Sequence, residues 1–166
     1  MNRPNGFTLL EMMIVLLMIS LVMGTMLAIY NISLTNFVIA KDENDLYQNI
    51  FNGMYKIENE IRTAEEATLI TGQHLLLRSG GNTINFFLQP GATSYQLWYS
   101  RWSETSSASY VLCNNVVSGN TVFSLNKPVV SLTLNAYTPT NNSFSEPYAV
   151  TLSSTIRMRN WNYGQQ

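Results

Sequence analysis

Few residues in this chain could do chemistry. There is one histidine, His74, and one cysteine, Cys113, in 166 residues. A nucleophile–base triad or a zinc set needs several such groups converging, and no acidic partner lies near His74 in sequence. His74 is therefore expected as an ordinary strand residue in "TGQHLLLR", and Cys113 in "YVLCNN" as a buried, inert thiol with no partner for a disulfide. Asp42, Glu43 and Asp45 are too tightly clustered for a calcium loop, and no glycine turn follows them. No cofactor and no metal are expected, and no enzyme activity. Two stretches interleave arginine with aromatics: "YQLWYSRW", with Arg101 and Trp102, and "TIRMRNWNY", which puts Arg157, Arg159 and Trp161 on one strand face. Such faces can stack on single-stranded nucleic acid or sugar. The competing reading is cross-strand packing, with arginine stems covering aromatic rings. The remaining group is Glu11, a lone carboxylate inside "GFTLLEMMIVLLMISLVMG".

The elements that must position these residues follow from hydrophobic patterning. From Phe7 to Ala40 the only charged side chain is Glu11. Phe7 to Tyr30 alone exceeds the roughly 20 residues that a helix needs to cross a bilayer. The run is too long for a secretory signal core and lacks a small-x-small site after it. It is expected to be retained as a single-pass anchor. Arg3 precedes it and Lys41, Asp42, Glu43 and Asp45 follow, which places the N-terminus in the cytoplasm.

Beyond the anchor, Leu46, Ile50, Met54, Ile57 and Ile61 recur at helical spacing, with Tyr47, Phe51 and Tyr55 as a flanking stripe. No proline interrupts Phe7 to Arg62. One helix of roughly 55 residues is therefore predicted, its first half a continuous apolar run and its second half amphipathic. Gly24 and Gly53 are its weak points, and Asn31 to Asn36 is an alternative break. After Thr68 the period becomes two. "HLLLRSGGNTINFFLQP" reads as strand, Gly-Gly turn, strand, and "YQLWYSRW", "TVFSLN", "VVSLTLNAY" and "YAVTLSSTIRMRNW" alternate likewise. The fold class is α+β: a long N-terminal helix, part membrane anchor and part amphipathic, packed on a C-terminal antiparallel sheet. The expected divisions are 1–6 leader, 7–30 transmembrane helix, 31–66 amphipathic continuation and 67–166 β domain.

Charge is sparse, at 11% of residues, with a net of −1. That low charge and the acidic helix count against nucleic acid as a partner. Acids dominate from Lys41 to Glu66, and bases dominate after Ala67. The plain cause is a solvated helix face beside an unrelated domain; the sharper one is head-to-side contact between subunits.

"RPNGFTLLE" resembles the type IV prepilin signal: a short basic leader, a glycine, then Phe-Thr-Leu-Leu-Glu opening a hydrophobic helix. The resemblance covers about the first 30 residues directly and the remainder by architecture. It implies cleavage between Gly6 and Phe7 by a prepilin peptidase and N-methylation of Phe7. It implies that Glu11 pairs with the Phe7 amine of a neighbouring subunit and sets register during assembly. It also implies other pilin or pseudopilin subunits and an inner-membrane assembly platform as partners. The chain would lie in a bacterial inner membrane with its β domain periplasmic or extracellular, incorporated in a filament. Within that family the chain most resembles the J- and W-type minor subunits. The rival readings are a signal-anchored extracytoplasmic ligand-binding protein and a membrane-tethered enzyme. Neither needs Gly6 before Phe7, nor Glu11.

Overall fold

A computed structural model describes residues 8–91, 94–117, 122–138 and 148–161. Helix α1 spans Leu9–Thr63 and runs through Asn31–Asn36 without a break. Eight strands follow: β1 Glu66–Thr71, β2 His74–Ser79, β3 Asn82–Pro90, β4 Tyr95–Trp102, β5 Ser107–Val116, β6 Phe123–Asn126, β7 Val129–Tyr137 and β8 Ala149–Arg157. The chain divides into two compact units, residues 1–41 and 42–166.

In the first unit the helix is long and apolar enough to cross a membrane, and none of its most apolar window is buried. Leu9, Leu16, Leu17, Leu21 and Leu27 are all exposed. Such a surface fits a lipid-facing anchor, because apolar side chains gain nothing from water and a helix satisfies its own backbone polar groups.

In the second unit the helix buries Leu46, Ile50, Met54, Ile57 and Ile61, the residues that the 4-4-3-4 spacing selects. Each such side chain contributes about 1.5–3 kcal/mol on burial. Tyr47, Phe51 and Tyr55 lie on the exposed side, with the Tyr47 and Phe51 rings stacked at 6.3 Å. Gly53 is also buried. It is a site of close approach rather than a weak point, because a Cβ there would overlap Cys113 Sγ on β5.

The antiparallel sheet has the order β1-β2-β3-β4-β5-β7-β6, with β8 pairing β7. β7 alternates strictly, burying Val130, Leu132, Leu134 and Ala136. β2 and β3 bury Leu75, Leu77, Ile84 and Phe86 on the same inner face. That alternation leaves one face for the helix and one for solvent. Gly80 and Gly81 make the β2–β3 turn at φ of 53° and 79°, a conformation that glycine reaches without steric cost. The sheet curls at its far end. β5 meets β7 only at Val116↔Ala136, and β6 takes the rest of that edge. The N–H groups of Val122 and Phe123 both donate to Gly72 O at 2.9 Å, tying β6 to the β1–β2 turn.

Two details differ from the sequence reading. β1 was hidden, because "EATLIT" follows the helix directly and begins with residues that suit a helix end. It forms because its Ala67 side chain is buried and its backbone pairs with β2. The last strand stops at Arg157 rather than continuing to Trp161. The chain bends at Arg159 and Asn160 to reach the end of α1.

Candidate processing and assembly site

Thr8 and Glu11 close the N-terminus of α1 on each other. Glu11 N–H donates to Thr8 Oγ1 at 3.3 Å, and Thr8 N–H donates to Glu11 Oε2 at 3.4 Å. The Thr8 hydroxyl also donates to Glu11 Oε2 at 3.4 Å. With helix starting at Leu9, Thr8 is the N-cap and Glu11 the third helical residue. This is a reciprocal capping box, which satisfies two otherwise orphaned N–H groups. The carboxylate also sits where the helix dipole favours negative charge. The signal was legible as Thr-x-x-Glu ahead of an apolar run, and the sequence reading passed over it. Gly6 and Phe7 lie outside the described residues.

The other end of α1 is closed by distant segments. Arg159 N–H donates to Arg62 O at 3.1 Å, Asn160 Nδ2 to Thr63 O at 3.2 Å, and Ser79 Oγ to Thr63 O at 3.0 Å. These donors satisfy carbonyls that a helix C-terminus leaves without partners. The Arg159–Asn160 bend thus serves the fold through its backbone and its amide.

The two arginine–aromatic stretches do not form one constellation. Arg101 and Trp102 are exposed at the end of β4, and their side chains alternate to opposite faces. Arg157 and Arg159 are exposed beside α1, and β5 and β7 stand between β4 and β8 in the sheet. Trp161 packs partly buried against the core, and Lys127 Nζ lies 5.2 Å from its ring centre. In β4, Tyr99 turns into the core and meets Phe86 at a tilt with ring centres 5.5 Å apart, while Trp98 stacks on Phe87 at 6.5 Å. These aromatics serve cross-strand packing.

His74 sits at the start of β2, half-buried, with Nε2 3.4 Å from Asn85 Oδ1 and its ring against Phe87. Cys113 is fully buried, and burial pushes its thiol up to about 12, so it stays protonated. Tyr99 OH donates to Glu60 Oε1 at 3.2 Å, and Lys56 pairs with the same carboxylate at 2.7 Å. That hydrogen bond to Glu60 raises the Lys56 pKa, and burial raises that of Tyr99. Glu60 therefore links the helix to β4 through Tyr99, while Lys56, one turn earlier on the same helix, balances its charge. Arg62, Arg157 and Arg159 line one open groove of about 540 Å³. Arg62 could not be grouped with them from sequence, because about a hundred residues separate it from the others.

Residues 1–27 match the family model described as the prokaryotic N-terminal methylation motif. No curated protein and no solved structure matches the chain. The matched segment contains Gly6, Phe7, Thr8 and Glu11 and runs into the apolar half of α1. The matched motif, the apolar helix and the antiparallel sheet together support a type IV prepilin-like family for this chain.

Proposed function

We propose that this chain is a structural subunit of a type IV-family filament, cut after Gly6, methylated at Phe7 and assembled from the inner membrane. One observation carries the reading: the methylation motif at 1–27 leads without interruption into a membrane-grade helix. The chemistry is then done to the chain rather than by it. Glycine at the cut lets the backbone lie extended in a protease cleft. Cleavage would leave a cationic amine on Phe7, immediately before the N-cap. A cation there opposes the helix dipole. Glu11 supplies the compensating negative charge, either within the subunit or to the amine of a neighbour. Assembly with the neighbour's amine would make Glu11 the register pin. The finer assignment is a minor pilin or pseudopilin acting at a filament tip or in priming assembly. The system would be a secretion pseudopilus, a pilus or a DNA-uptake pilus. The inner-membrane assembly platform is the further partner in this reading, and the N-terminus faces the cytoplasm.

The test is N-terminal sequencing and intact mass of the chain from cells that contain the peptidase. The expected product starts at N-methylated Phe7. Gly6→Val should leave the leader in place while membrane insertion persists, because a branched side chain crowds the extended backbone. A product starting at Tyr30 or later would sink the reading.

A further inference from the structure

Strand β8 forms an open edge of the sheet. It pairs β7 over nine residues in one unbroken register, from Val129↔Arg157 to Tyr137↔Ala149. Thr138 N–H donates to Tyr148 O and Met158 N–H to Pro128 O, which fixes the phase of the antiparallel ladder. In that phase Val150, Leu152, Ser154 and Ile156 turn their N–H and C=O groups to β7. The N–H and C=O groups of Ala149, Thr151, Ser153 and Thr155 point away from it, and among the described residues no hydrogen bond reaches them. The other edges are blunted in ways that keep sheets from pairing further. β1 is irregular between Leu69 and Thr71, and β6 has only four residues. On β5, Asn114 N–H is taken by Asn49 Oδ1 of α1. β8 has no proline, no lysine and no irregularity. Its inner face is also unfinished: Leu152 and Ser154 are half-buried, whereas Val150 and Ile156 are buried.

The groove of about 540 Å³ lies at the end of this edge. Thr155, Ile156, Arg157 and Met158 line it together with Arg62 and Arg159, and among the described residues no acid does. Arg62 pairs with Glu58 at 3.5 Å, whereas Arg159 is exposed and has no ion pair among the described residues. We propose that β8 docks an extended segment of another protein, which adds antiparallel as a further strand and sets a carboxylate in the groove. Main-chain hydrogen bonds to Thr151, Ser153 and Thr155 supply the affinity, as in other strand additions to sheet edges. Alternate side chains of the segment fall beside Leu152, Ser154 and Ile156 on the inner face, which favours apolar residues there and polar ones between them. The carboxylate fixes direction and register, because guanidinium forks meet carboxylates in a defined geometry. A second copy is a poorer occupant. Two β8 edges paired about a two-fold axis at Ser153 would set Arg157 against Ala149 and bring no acid to either groove. β1 of a second copy would meet the edge with its irregular stretch between Leu69 and Thr71. The contact lies in the β domain and does not depend on the filament-subunit reading.

The test uses the full-length chain in detergent micelles and a fluorescent synthetic peptide, Glu-Glu-Val-Thr-Val-Thr-Val-Thr, followed by anisotropy. Saturable binding is expected. Ser153→Pro should weaken it by about tenfold, because it removes one outward N–H and leaves every bond to β7 in place. Lysines in place of both glutamates should weaken the wild-type complex likewise, and Arg159→Glu should reverse that preference. The peptide N-methylated at its threonines, whose amides face β8, should not bind. The peptide arms and Arg159→Glu leave the strand untouched, so they decide the matter even where circular dichroism shows that Ser153→Pro disturbs the fold. No saturable binding to the wild-type chain, or equal binding of the N-methylated peptide, would overturn the inference. Equal affinity for the glutamate and lysine peptides would overturn the part assigned to the groove. Self-association of the chain that Ser153→Pro abolishes, read by sedimentation, would make a second copy the occupant and overturn the proposed partner.

Discussion

Gly53 faces Cys113 across the helix–sheet interface so closely that a Cβ at residue 53 would overlap the sulfur. The thiol in turn donates to Asn49 O at 3.7 Å, one helical turn earlier. The helix thus lies directly on β5, and glycine is what permits it.

Gly53→Ala should destabilise the fold by about 1–3 kcal/mol through overpacking. That outweighs the gain of about 1 kcal/mol that alanine brings to a helix interior. Adding Cys113→Ala should recover much of the loss, because the new methyl enters the space left by the sulfur. Urea denaturation of the fragment from Thr35 to the C-terminus would measure both. An undiminished stability for Gly53→Ala alone would mean that the interface yields.

Ile57 is fully buried between α1 and the sheet. Ile57→Asp should unfold the same fragment or nearly so, because an unpaired carboxylate would enter the core. A fragment beginning at Glu66, without the helix, should expose the inner sheet face and bind a hydrophobic dye. If it melts at the temperature of the longer fragment, the helix contributes nothing to the core.

The pH dependence should be alkaline. Burial raises Cys113 from 9.0 to about 12 and also raises Tyr99 above 10.0. In both, the folded state holds its proton more tightly than the unfolded state. Their contribution is therefore complete below the unfolded values and is lost as pH rises from 9 towards 12. Thermal melts of the fragment between pH 7 and pH 11 should show the melting temperature falling above about pH 9. Cys113→Ala should flatten the first part of that fall. An equal slope in the variant would remove the thiol from the account.

Glu11 has two separable roles, and Thr8 distinguishes them. Glu11→Ala removes both the cap on Thr8 N–H and the charge, whereas Glu11→Gln keeps an acceptor and loses the charge. Thr8→Ala removes the cap and keeps the charge, at about 0.5–2 kcal/mol of helix stability. Processing should continue in all three. Crosslinking between subunits in native membranes should fall most for Glu11→Ala, less for Glu11→Gln and least for Thr8→Ala. Equal loss for Glu11→Ala and Thr8→Ala would reduce Glu11 to a capping residue.

Local sequence predicted the continuous helix from an apolar run and an amphipathic stretch with no proline between, the residues it buries from Leu46 to Ile61, the Gly80–Gly81 hairpin and most of the strands. Those features depend on which way neighbouring side chains point, and that is local. The N-terminal signal was also legible, because its parts lie within eleven residues. What the sequence could not reveal came from contacts between distant segments. Gly53 read as a flaw until β5 was placed against it. The start of the β domain had no strand assigned to it until β1 paired with β2. Arg159 and Trp161 read as one strand face with Arg157, but the chain turns after Arg157 so that its backbone can cap α1. Arg62 joins Arg157 and Arg159 only because that cap pulls the two chain segments together. The tertiary structure decides these cases, because helix-end carbonyls and strand edges need partners that no local pattern names.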